Sequence, residues 1–470
     1  MRKTKIVCTI GPASSDETTL TQMCLAGMNV ARLNFSHGTH ADHQEKIDLL
    51  KKVRQKLNLP IAIMLDTKGP EYRIKTFEKG SVTLKDGDEF AFTARDVAGN
   101  EREVSVSYPP MVEELDVGDT ILLSNGILIF KVVRKEPGRL VCTVISGGEL
   151  KDRKSMSFPG KVLRQTYLSE QDKADILFGI ENGVDYIACS FVSAKRDLLD
   201  IHDFLKLHGA DHIGLIAKIE NQSGVDHIEE ICEACEGIMI GRGDMGVEIP
   251  FEEVPSIQKK LITKCRLLGR RVITATEMLE SMIYNPRPTR AEISDVANAV
   301  YDGTSAVMLS GESAAGKHPV ESVAVMAKIV EYTEKNIDYR HLFLTSKFKI
   351  RNTLDAISHA TCGMAMDIDA KAMAVCTLSG MTARMVSRFR SPVDILGLTT
   401  DEVTWRKLAL SWGVTPIMCE KYPSTEVLFY SAKRLAKDVL HLSAGDRIVI
   451  TGGITNGQSG NTNLIKVEEI

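Results

Sequence analysis

The sequence lacks any run of about 20 apolar residues, the length that a helix needs to cross a bilayer, so we expect no membrane-spanning segment. It also lacks an excess of charge of one sign, because 58 Lys and Arg face 62 Asp and Glu, for a net charge of −4. A chain so close to neutral has no electrostatic attraction to nucleic acid or to an anionic membrane. We expect neither as a partner.

A secretory signal and a disulfide framework are also missing from the pattern. The first residues, MRKTKIVCTIGP, are too briefly apolar for a signal peptide. The ten cysteines are scattered from Cys8 to Cys419, most of them inside apolar runs. This distribution is typical of buried free thiols in a reducing compartment. The sequence therefore predicts a cytoplasmic protein.

The 470 residues, 43% of them hydrophobic and 26% charged, indicate a globular protein of about three domains. Eight short β-branched runs, most of them alternating with helical patterns, predict a parallel β/α barrel, because parallel strands need crossover helices. The predicted strands are 5–10, 30–33, 62–65, 186–190, 213–218, 237–240, 272–276 and 306–309.

This alternation of strand and helix is interrupted once and then replaced. Short β runs with turn signals, such as SVTLKDGDEFAFT, predict an inserted all-β domain over 70–167. The barrel then comprises 1–69 and 168–340. A new α/β series, including AMAVCTL and DRIVITG, predicts a third domain over 341–470.

Polar residues follow most of the predicted barrel strands. Functional side chains of a β/α barrel lie at the C-terminal ends of its strands. Taken singly, a Lys-x-Glu is usually a solvated surface pair, and Asn or Ser after a strand usually makes a turn or a helix cap. Their recurrence at the same end of successive strands favours a site. The candidates are Arg32, Asn34, Ser36, Asp66, Thr67, Lys218, Glu220, Gly243, Asp244, Thr276 and Glu277.

The residue types at these positions point to phosphoryl transfer. Glu220 and Asp244 offer carboxylate oxygens to a hard divalent cation such as Mg²⁺. Lys218 and Arg32 add positive charge, and phosphoryl transfer needs mainly positioning and cations that face the moving oxygens. Gly243 would allow a backbone N–H to approach an anion closely.

Three other motifs are interpreted as accidental. The G-x-G-x-x-G at 241–246 lacks the acidic residue that a dinucleotide site needs about 20 positions later. The near P-loop at 311–317 is followed by His318 instead of a hydroxyl residue. The C-x-x-C at 232–235 lies in a helical pattern without a second ligand pair, which predicts packed thiols rather than zinc.

Over nearly its whole length the sequence resembles the pyruvate kinase family. The resemblance is carried by TKIVCTIGP, GMNVARLNFSHG, LDTKGPEYR, IAKIENQSG, EGIMIGRGDMGVEIP, VITATEMLESM and NPRPTRAEISDVANAVYDGTSAVMLSGESAAGKHP. It implies a TIM (β/α)8 barrel with an inserted small β-barrel lid and a C-terminal α/β effector-binding domain. It also implies transfer of the phosphoryl group of phosphoenolpyruvate to ADP, giving pyruvate and ATP, in a homotetramer.

The resemblance implies a role for each candidate at the barrel mouth. Lys218, Arg32 and Thr276 match the catalytic residues, and Gly243 and Asp244 join them in binding the substrate. Glu220 and Asp244 match the ligands of Mg²⁺ or Mn²⁺. The matches to the ligands of K⁺ are Asn34, Ser36, Asp66 and Thr67, with Glu71 as the residue that accompanies K⁺ dependence.

The resemblance also implies two peripheral binding sites. On the nucleotide side it points to Arg73, His37 and Lys154. In the third domain, a hydroxyl-rich loop and the loop that faces it, 451–463, resemble the family's grip on a phosphorylated effector. The implied effector residues are Thr377, Ser379, Gly380, Thr382 and Trp405.

Several positions depart from the family pattern. Ser124 and Asn125 replace the acidic pair usual before Gly126, and Glu277 replaces a glutamine. Ser193 replaces an arginine, the hinge over 161–167 differs, and an aliphatic position is Tyr72. Because most of these lie near the lid or the nucleotide side, they predict altered nucleotide preference, lid closure or rate.

Two other classes of function remain open at this point. A metal-dependent aldolase or decarboxylase acting on pyruvate-like enolates would also use Glu and Asp at strand ends, but it needs neither a lid of this type nor a K⁺ cluster. A catalytically silent regulator would bind phosphoenolpyruvate without turnover. A coupled assay with phosphoenolpyruvate and ADP distinguishes all three.

Overall fold

The computed structural model describes residues 1–453 and 461–470. Its strands are β1 (Lys5–Thr9), β2 (Val30–Asn34), β3 (Ala62–Asp66), β4 (Tyr72–Arg73), β5 (Ser81–Leu84), β6 (Glu89–Thr93), β7 (Glu103–Ser105), β8 (Thr120–Leu123), β9 (Leu128–Glu136), β10 (Arg139–Ser146), β11 (Gly148–Lys151), β12 (Ser155–Ser157), β13 (Tyr186–Cys189), β14 (Gly214–Ile219), β15 (Gly237–Gly241), β16 (Arg271–Ala275), β17 (Ala306–Leu309), β18 (Ala372–Cys376), β19 (Asp394–Thr399), β20 (Val414–Met418), β21 (Arg447–Gly453) and β22 (Thr462–Glu469).

The helices connect these strands. They are α1 (Glu17–Ala26), α2 (His40–Leu57), α3 (Met111–Glu114), α4 (Glu170–Glu181), α5 (Lys195–Leu207), α6 (Gln222–Asp226), α7 (Ile228–Glu233), α8 (Arg242–Glu248), α9 (Val254–Leu267), α10 (Arg290–Asp302), α11 (Gly311–Ala314), α12 (Pro319–Glu334), α13 (Tyr339–Thr345), α14 (Thr353–Asp367), α15 (Met381–Ser387), α16 (Glu402–Leu408) and α17 (Thr425–Leu440).

Eight parallel strands close the predicted barrel, in the order β1-β17-β16-β15-β14-β13-β3-β2. Each of the eight predicted strands is present, with ends within one residue of the prediction. The barrel interior is packed with apolar side chains such as Val7, Met64, Ile216 and Ile273, as the layered core of this fold requires. The barrel is therefore a solid core, and its polar residues collect at its rim.

Local signals set the ends of the crossover helices, as α10 illustrates. The Glu292 backbone N–H donates to Thr289 Oγ1 at 3.2 Å, and Glu292 Oε2 accepts from the Thr289 N–H at 2.7 Å. This reciprocal capping box satisfies two donors at the start of the helix. The helix ends at Gly303, whose φ of 91° lies in the left-handed region that glycine adopts without strain. α10 is thus fixed between β16 and β17.

The inserted segment forms a small all-β unit. Its main sheet has the order β4-β12-β8-β9-β10-β6-β7, and β11 pairs with β5 beside it. A bridge between Ile74 and Val106 joins the chain just past β4 to the chain just past β7, so the two edges of the main sheet meet. Phe90, Phe92 and Phe130 stack in its core at centroid distances of 5.2–5.8 Å.

The third domain is a five-stranded sheet, in the order β20-β19-β18-β21-β22, with helices on both faces. β22 is antiparallel to β21, and the other pairs are parallel. The sequence did not indicate β20, which contains Pro416. A proline cannot donate to a strand ladder, so it is tolerated here because β20 lies at the edge of the sheet.

The third domain closes the N-terminal end of the barrel. Leu410 is fully buried within the cluster that fills the barrel interior. The Tyr186 hydroxyl donates to the Lys407 carbonyl at 2.7 Å, and Lys5 Nζ donates to the Val414 carbonyl at 2.7 Å. The rim that carries the candidate site is therefore the end that the third domain leaves open.

Two expectations about composition can be compared with this structure. Within the described residues, no helix combines the length and apolarity that crossing a bilayer requires. All ten cysteines are free thiols, and eight of them are buried. Cys232 of the C-x-x-C motif packs with its Sγ 3.5 Å from the Sγ of Cys265.

Candidate active site at the barrel mouth

The predicted catalytic residues lie at or just beyond the C-terminal ends of neighbouring barrel strands. β2 and β3 end in Asn34 and Asp66, which are register partners. β14 carries Lys218 near its end, and Glu220 follows it. These side chains meet because the carboxyl ends of all eight parallel strands open on the same rim.

Asp66 is the centre of an ion cluster at this rim. It is fully buried; its Oδ2 accepts from Arg32 Nε at 2.6 Å, and its Oδ1 lies 3.2 Å from Lys218 Nζ. Burial by itself would raise the pKa of Asp66, but the charges of Arg32 and Lys218 hold that pKa below its usual value. Asp66 therefore stays ionised and fixes both cations.

Lys218 is enclosed by three oxygen-bearing groups. Its Nζ lies 3.0 Å from Glu220 Oε1 and donates to Ser190 Oγ at 2.7 Å, in addition to its contact with Asp66. Burial would lower the pKa of Lys218, but the two carboxylates raise it above its ordinary value. The ammonium is therefore a permanent positive charge and not a proton carrier at neutral pH.

Glu220 and Asp244 form the candidate metal centre. Glu220 is buried, and its Oε2 accepts from the Phe191 N–H at 2.8 Å. Burial first and the negative charge of Asp244 second raise the pKa of Glu220, although Lys218 opposes them. Such a rise indicates too little positive charge for the carboxylates present.

The donor set at this point fits a hard cation. Asp244 is exposed to the mouth and makes no hydrogen bond or ion pair with any residue that the structure describes. No group of three or more His, Cys, Asp and Glu residues suited to a metal occurs in residues 1–453 and 461–470. Two carboxylates with the remaining positions left to water and substrate phosphate are the arrangement that Mg²⁺ commonly takes.

Thr276 lies on a strained turn beside this centre. Its φ is 68° and that of Glu277 is 53°, a region that residues with a Cβ seldom adopt. Thr276 Oγ1 accepts from the Gly243 N–H at 2.9 Å and donates to the Ala275 carbonyl at 2.6 Å. The hydroxyl is thereby aimed at the chain that carries Asp244.

Sequence reasoning missed two residues that hold this arrangement. Arg242 donates to the Thr276 carbonyl at 2.6 Å, and its guanidinium is in turn held by Asp295 at 2.8 Å. Ser190 anchors Lys218 from β13, the strand next to β14. Ser190 follows its strand in the same way as the candidates that were chosen, so the strand-end rule could have found it. Asp295 lies inside α10, where the sequence gives no such signal.

The four predicted K⁺ ligands lie on the β2 and β3 side of the mouth. Asn34 Oδ1 accepts from the Ser36 N–H at 3.1 Å, and Ser36 itself is exposed. Thr67 Oγ1 donates to the Ala188 carbonyl at 3.3 Å. The structure thus brings Asn34, Asp66 and Thr67 to adjacent strand ends, and Asp66 also serves the cation cluster described above.

The predicted nucleotide-side residues are more dispersed. Arg73 forms an ion pair with Glu71 and donates to the Arg153 carbonyl at 2.7 Å, and Lys68 Nζ lies 3.5 Å from Glu71. His37 is exposed after β2, whereas Lys154 directly precedes β12. Within the described part of the chain, no hydrogen bond or ion pair joins the side chains of Arg73, His37 and Lys154.

The predicted effector residues surround the start of α15. Gly380, with φ 78°, begins the turn into this helix, and Thr377 is buried beside it. Thr382 Oγ1 lies 2.7 Å from Thr462 Oγ1, which places one end of the facing loop against this turn. Trp405 Nε1 donates to the Pro416 carbonyl at 3.3 Å. The middle of that facing loop, 454–460, lies outside the described residues.

Glu248, at the end of α8, joins the barrel to the inserted domain by accepting hydrogen bonds from Ser157 and the Phe158 backbone. Burial raises the pKa of Glu248 to about 7, and Asp244 adds to the rise. Since the folded-state pKa exceeds the unfolded one, this group lowers the free energy of unfolding as the pH rises from about 4.5 to about 7. We expect Glu248→Gln to raise the stability by about 1–2 kcal/mol above pH 7 and hardly at pH 4.5.

Thermal unfolding of both forms between pH 4.5 and pH 8 measures this difference. Glu252→Gln is the matched control, because Glu252 is exposed in the same stretch of chain and should leave the pH profile unchanged. A Glu248→Gln profile parallel to that of the wild type would contradict the assignment.

Comparison with known proteins agrees with this geometry. The barrel-domain model of the pyruvate kinase family matches residues 1–323, and its alpha/beta-domain model matches residues 355–468. A pyruvate kinase from Geobacillus stearothermophilus is 46% identical over 472 residues, covering 100% of this chain and 80% of that protein. One from Clostridium perfringens is 43% identical over 474 residues, covering 100% of both.

The fold agrees as closely as the sequence. The crystal structure of a pyruvate kinase from Cryptosporidium parvum has a TM-score of 0.94 at 35% identity, covering 100% of this chain and 96% of that chain. Similarity therefore extends through the barrel, the inserted domain and the third domain alike. This chain belongs to the pyruvate kinase family.

Proposed function

We propose that this protein transfers the phosphoryl group of phosphoenolpyruvate to ADP, with Mg²⁺ or Mn²⁺ and K⁺ as cofactors. The observation that carries the proposal is the position of Lys218. Its permanently charged ammonium is held by Asp66 and Glu220 beside the uncompensated pair Glu220 and Asp244. That combination places positive charge where a transferring phosphoryl group needs it.

The reaction is an in-line displacement. A β-phosphate oxygen of ADP attacks the phosphorus of phosphoenolpyruvate, the bond from phosphorus to the enol oxygen breaks, and the enolate is then protonated to pyruvate. Lys218 and Arg32 face the phosphoryl oxygens, and their fixed positions on Asp66 avoid reorganisation during the step. A divalent ion bound by Glu220 and Asp244 supplies further positive charge to the same oxygens.

Thr276 is suited to the proton-transfer step. Its Oγ1 carries a proton that is donated to the Ala275 carbonyl, and its position is fixed by the Gly243 N–H. Arg242 and Asp295 hold the strained turn that presents this hydroxyl. Gly243 and Asp244 follow on the next strand end, so substrate binding and proton delivery share one wall of the mouth.

We assign the domains as a barrel over 1–69 and 168–340, a lid over 70–167 and an effector domain over 341–470. Closure of the lid would exclude water, so that ADP rather than water accepts the phosphoryl group. Arg73, His37 and Lys154 would bind the nucleotide. Since the structure does not join these three side chains, we propose that they converge when the lid closes on ADP.

Regulation and assembly complete the proposal. A phosphorylated effector would bind the loop that holds Thr377, Ser379, Gly380 and Thr382, with Trp405 behind it. We propose a cytoplasmic homotetramer, as the family resemblance implies. The departures at Ser124, Asn125, Glu277 and 161–167 would adjust nucleotide preference or rate, which a comparison of ADP with other nucleoside diphosphates measures.

The direct test is a coupled assay that follows pyruvate formation from phosphoenolpyruvate and ADP. We expect turnover that requires Mg²⁺ or Mn²⁺. Cleavage of a pyruvate-like enolate precursor without ADP would favour the lyase alternative. Metal-dependent phosphoenolpyruvate binding without turnover would favour the silent regulator.

Potassium dependence should follow from Glu71, which already draws Lys68 and Arg73 to the K⁺ side of the mouth. We expect wild-type turnover to fall about 10-fold or more when K⁺ is replaced by tetramethylammonium. Glu71→Lys should remove this response, because the new ammonium supplies the missing positive charge. Glu78→Lys, an exposed site on the same domain, should stay as K⁺-dependent as the wild type. Unchanged K⁺ dependence in Glu71→Lys would overturn the assignment.

A further inference from the structure

A cavity of about 630 Å³ lies between the N-terminal end of the barrel and the third domain, far along the strands from the mouth. Its barrel wall includes His212, Glu236 and Arg270, and its third-domain wall includes Gly380, Arg384 and Lys407. The volume is in the range of sites for small molecules. It is also much larger than an inorganic anion requires.

The deepest cation of this cavity has no anion beside it. Arg384 is only 8% exposed, and its Nε has no hydrogen-bond partner. Its NH2 donates to the sulfur of Met381 at 2.9 Å, which supplies no negative charge. No carboxylate among the described residues lies within ion-pair distance of Arg384. Burial, and then the nearby charge of Arg271, lower the pKa of Arg384 to about 10.

A second guanidinium lines the same cavity in the same condition. Arg270 Nε is buried without a partner, and Arg270 makes no ion pair with any described residue. The neighbouring cations are satisfied, because Glu236 accepts from both Arg271 at 2.8 Å and Lys407 at 2.5 Å. The positive charge that remains available is therefore that of Arg270 and Arg384, one from each wall.

The acids around the cavity do not neutralise this charge. Glu233 is turned outward and paired with Lys195 at 2.7 Å, with 67% of its side chain exposed. Asp401 is exposed and caps α16 by accepting from the Thr404 N–H at 2.7 Å. Buried guanidiniums without partners are costly, and a guanidinium fork matches the oxygens of a phosphate. The exposed acids at the rim can accept hydrogen bonds from hydroxyl groups.

We propose that this interdomain cavity is a binding site for a phosphomonoester of a sugar or a nucleoside. Its phosphate binds between Arg270 and Arg384, and its hydroxyl-bearing body extends toward Asp401. This site is separate from Thr377 and Thr382 of the proposed effector loop, which do not line the cavity. The proposal holds whether or not the chain transfers phosphoryl groups, because its test measures binding.

Isothermal titration calorimetry with the full chain tests the proposal. The probes are glycerol 3-phosphate, a pentose 5-phosphate and a nucleoside 5′-monophosphate, each compared with its phosphate-free counterpart and with inorganic phosphate. We expect at least one phosphomonoester to bind 10-fold or more tightly than its phosphate-free counterpart and than inorganic phosphate. Arg384→Gln and Arg270→Gln should each raise its Kd at least 10-fold.

Two controls separate this cavity from other sites. Arg266→Gln removes a guanidinium that also has an unpartnered Nε but does not line the cavity, and it should leave Kd unchanged. Thr382→Val should likewise leave Kd unchanged. Arg384→Gln should also raise the thermal midpoint of the ligand-free protein, because it removes an unpaired buried charge. Absence of phosphomonoester binding, or binding lost in Thr382→Val but kept in both arginine variants, would overturn the proposal.

Discussion

Replacing Lys218 by Met should reduce kcat by about 10³-fold or more while the protein stays folded. Removing one preorganised charge from the position of a developing negative charge costs 10²–10³ in well-studied enzymes, and a cation on a transferring phosphoryl group supplies 10³–10⁵. Lys218 lies at the mouth and contacts oxygen-bearing side chains rather than the apolar barrel interior. The loss should therefore appear in kcat and not in the fold.

Lys206→Met is the matched control, since Lys206 is exposed on α5 and touches no residue of the site. It should retain wild-type kinetics in the coupled assay, and circular dichroism should be the same for both variants. Lys218→Met activity above about one tenth of the wild type would remove Lys218 from the chemistry. Equal losses in both variants would indicate damage to the fold.

The sequence predicted the barrel well because its signals are local and repeated. Eight apolar runs with crossover helices leave little choice of topology, and each strand end was correct to within one residue. The strand-end rule then placed Lys218 and Glu220 on one rim, where the structure gives them a 3.0 Å contact. Both inferences rest on periodicity and on the direction of parallel strands.

What the sequence did not supply depends on contacts between distant segments. Asp66 was expected only near K⁺, yet it also fixes Arg32 and Lys218. The support of Thr276 by Arg242 and Asp295 joins three different elements, and no local pattern encodes it. Nor does any motif announce that Arg384 is buried without a carboxylate, because both walls of its cavity come from separate domains.

The largest effect on stability should come from Asp185, which lies at the closed end of the barrel. Asp185 is fully buried, and its carboxylate accepts from Arg406 Nε of the third domain at 2.7 Å and from the Ile63 N–H at 2.8 Å. Arg54 NH1 lies 3.7 Å away. Burial raises the pKa of Asp185 although both arginines oppose the rise, so the cluster as a whole adds little net stability.

Removing only the carboxylate is a different matter, because it leaves two buried guanidiniums without an anion. We expect Asp185→Ala to lower the free energy of unfolding by about 3–5 kcal/mol. Glu402→Ala removes the other carboxylate that contacts Arg406, but Glu402 is 71% exposed and should cost less than about 1 kcal/mol. Trp405 and Trp412, the only two tryptophans of the chain, both lie in the third domain, so their fluorescence reports on its detachment during urea unfolding.

A double-mutant cycle shows whether the cost of losing Asp185 arises from the unpaired arginine. If it does, Asp185→Ala should destabilise far less in an Arg406→Met background, because Met fills the space of Arg406 without its charge. The coupling should then exceed about 1 kcal/mol. Additive effects would instead mean that Asp185 acts through the Ile63 N–H alone, and the third domain would be held to the barrel by Leu410 and its apolar neighbours rather than by this ion pair.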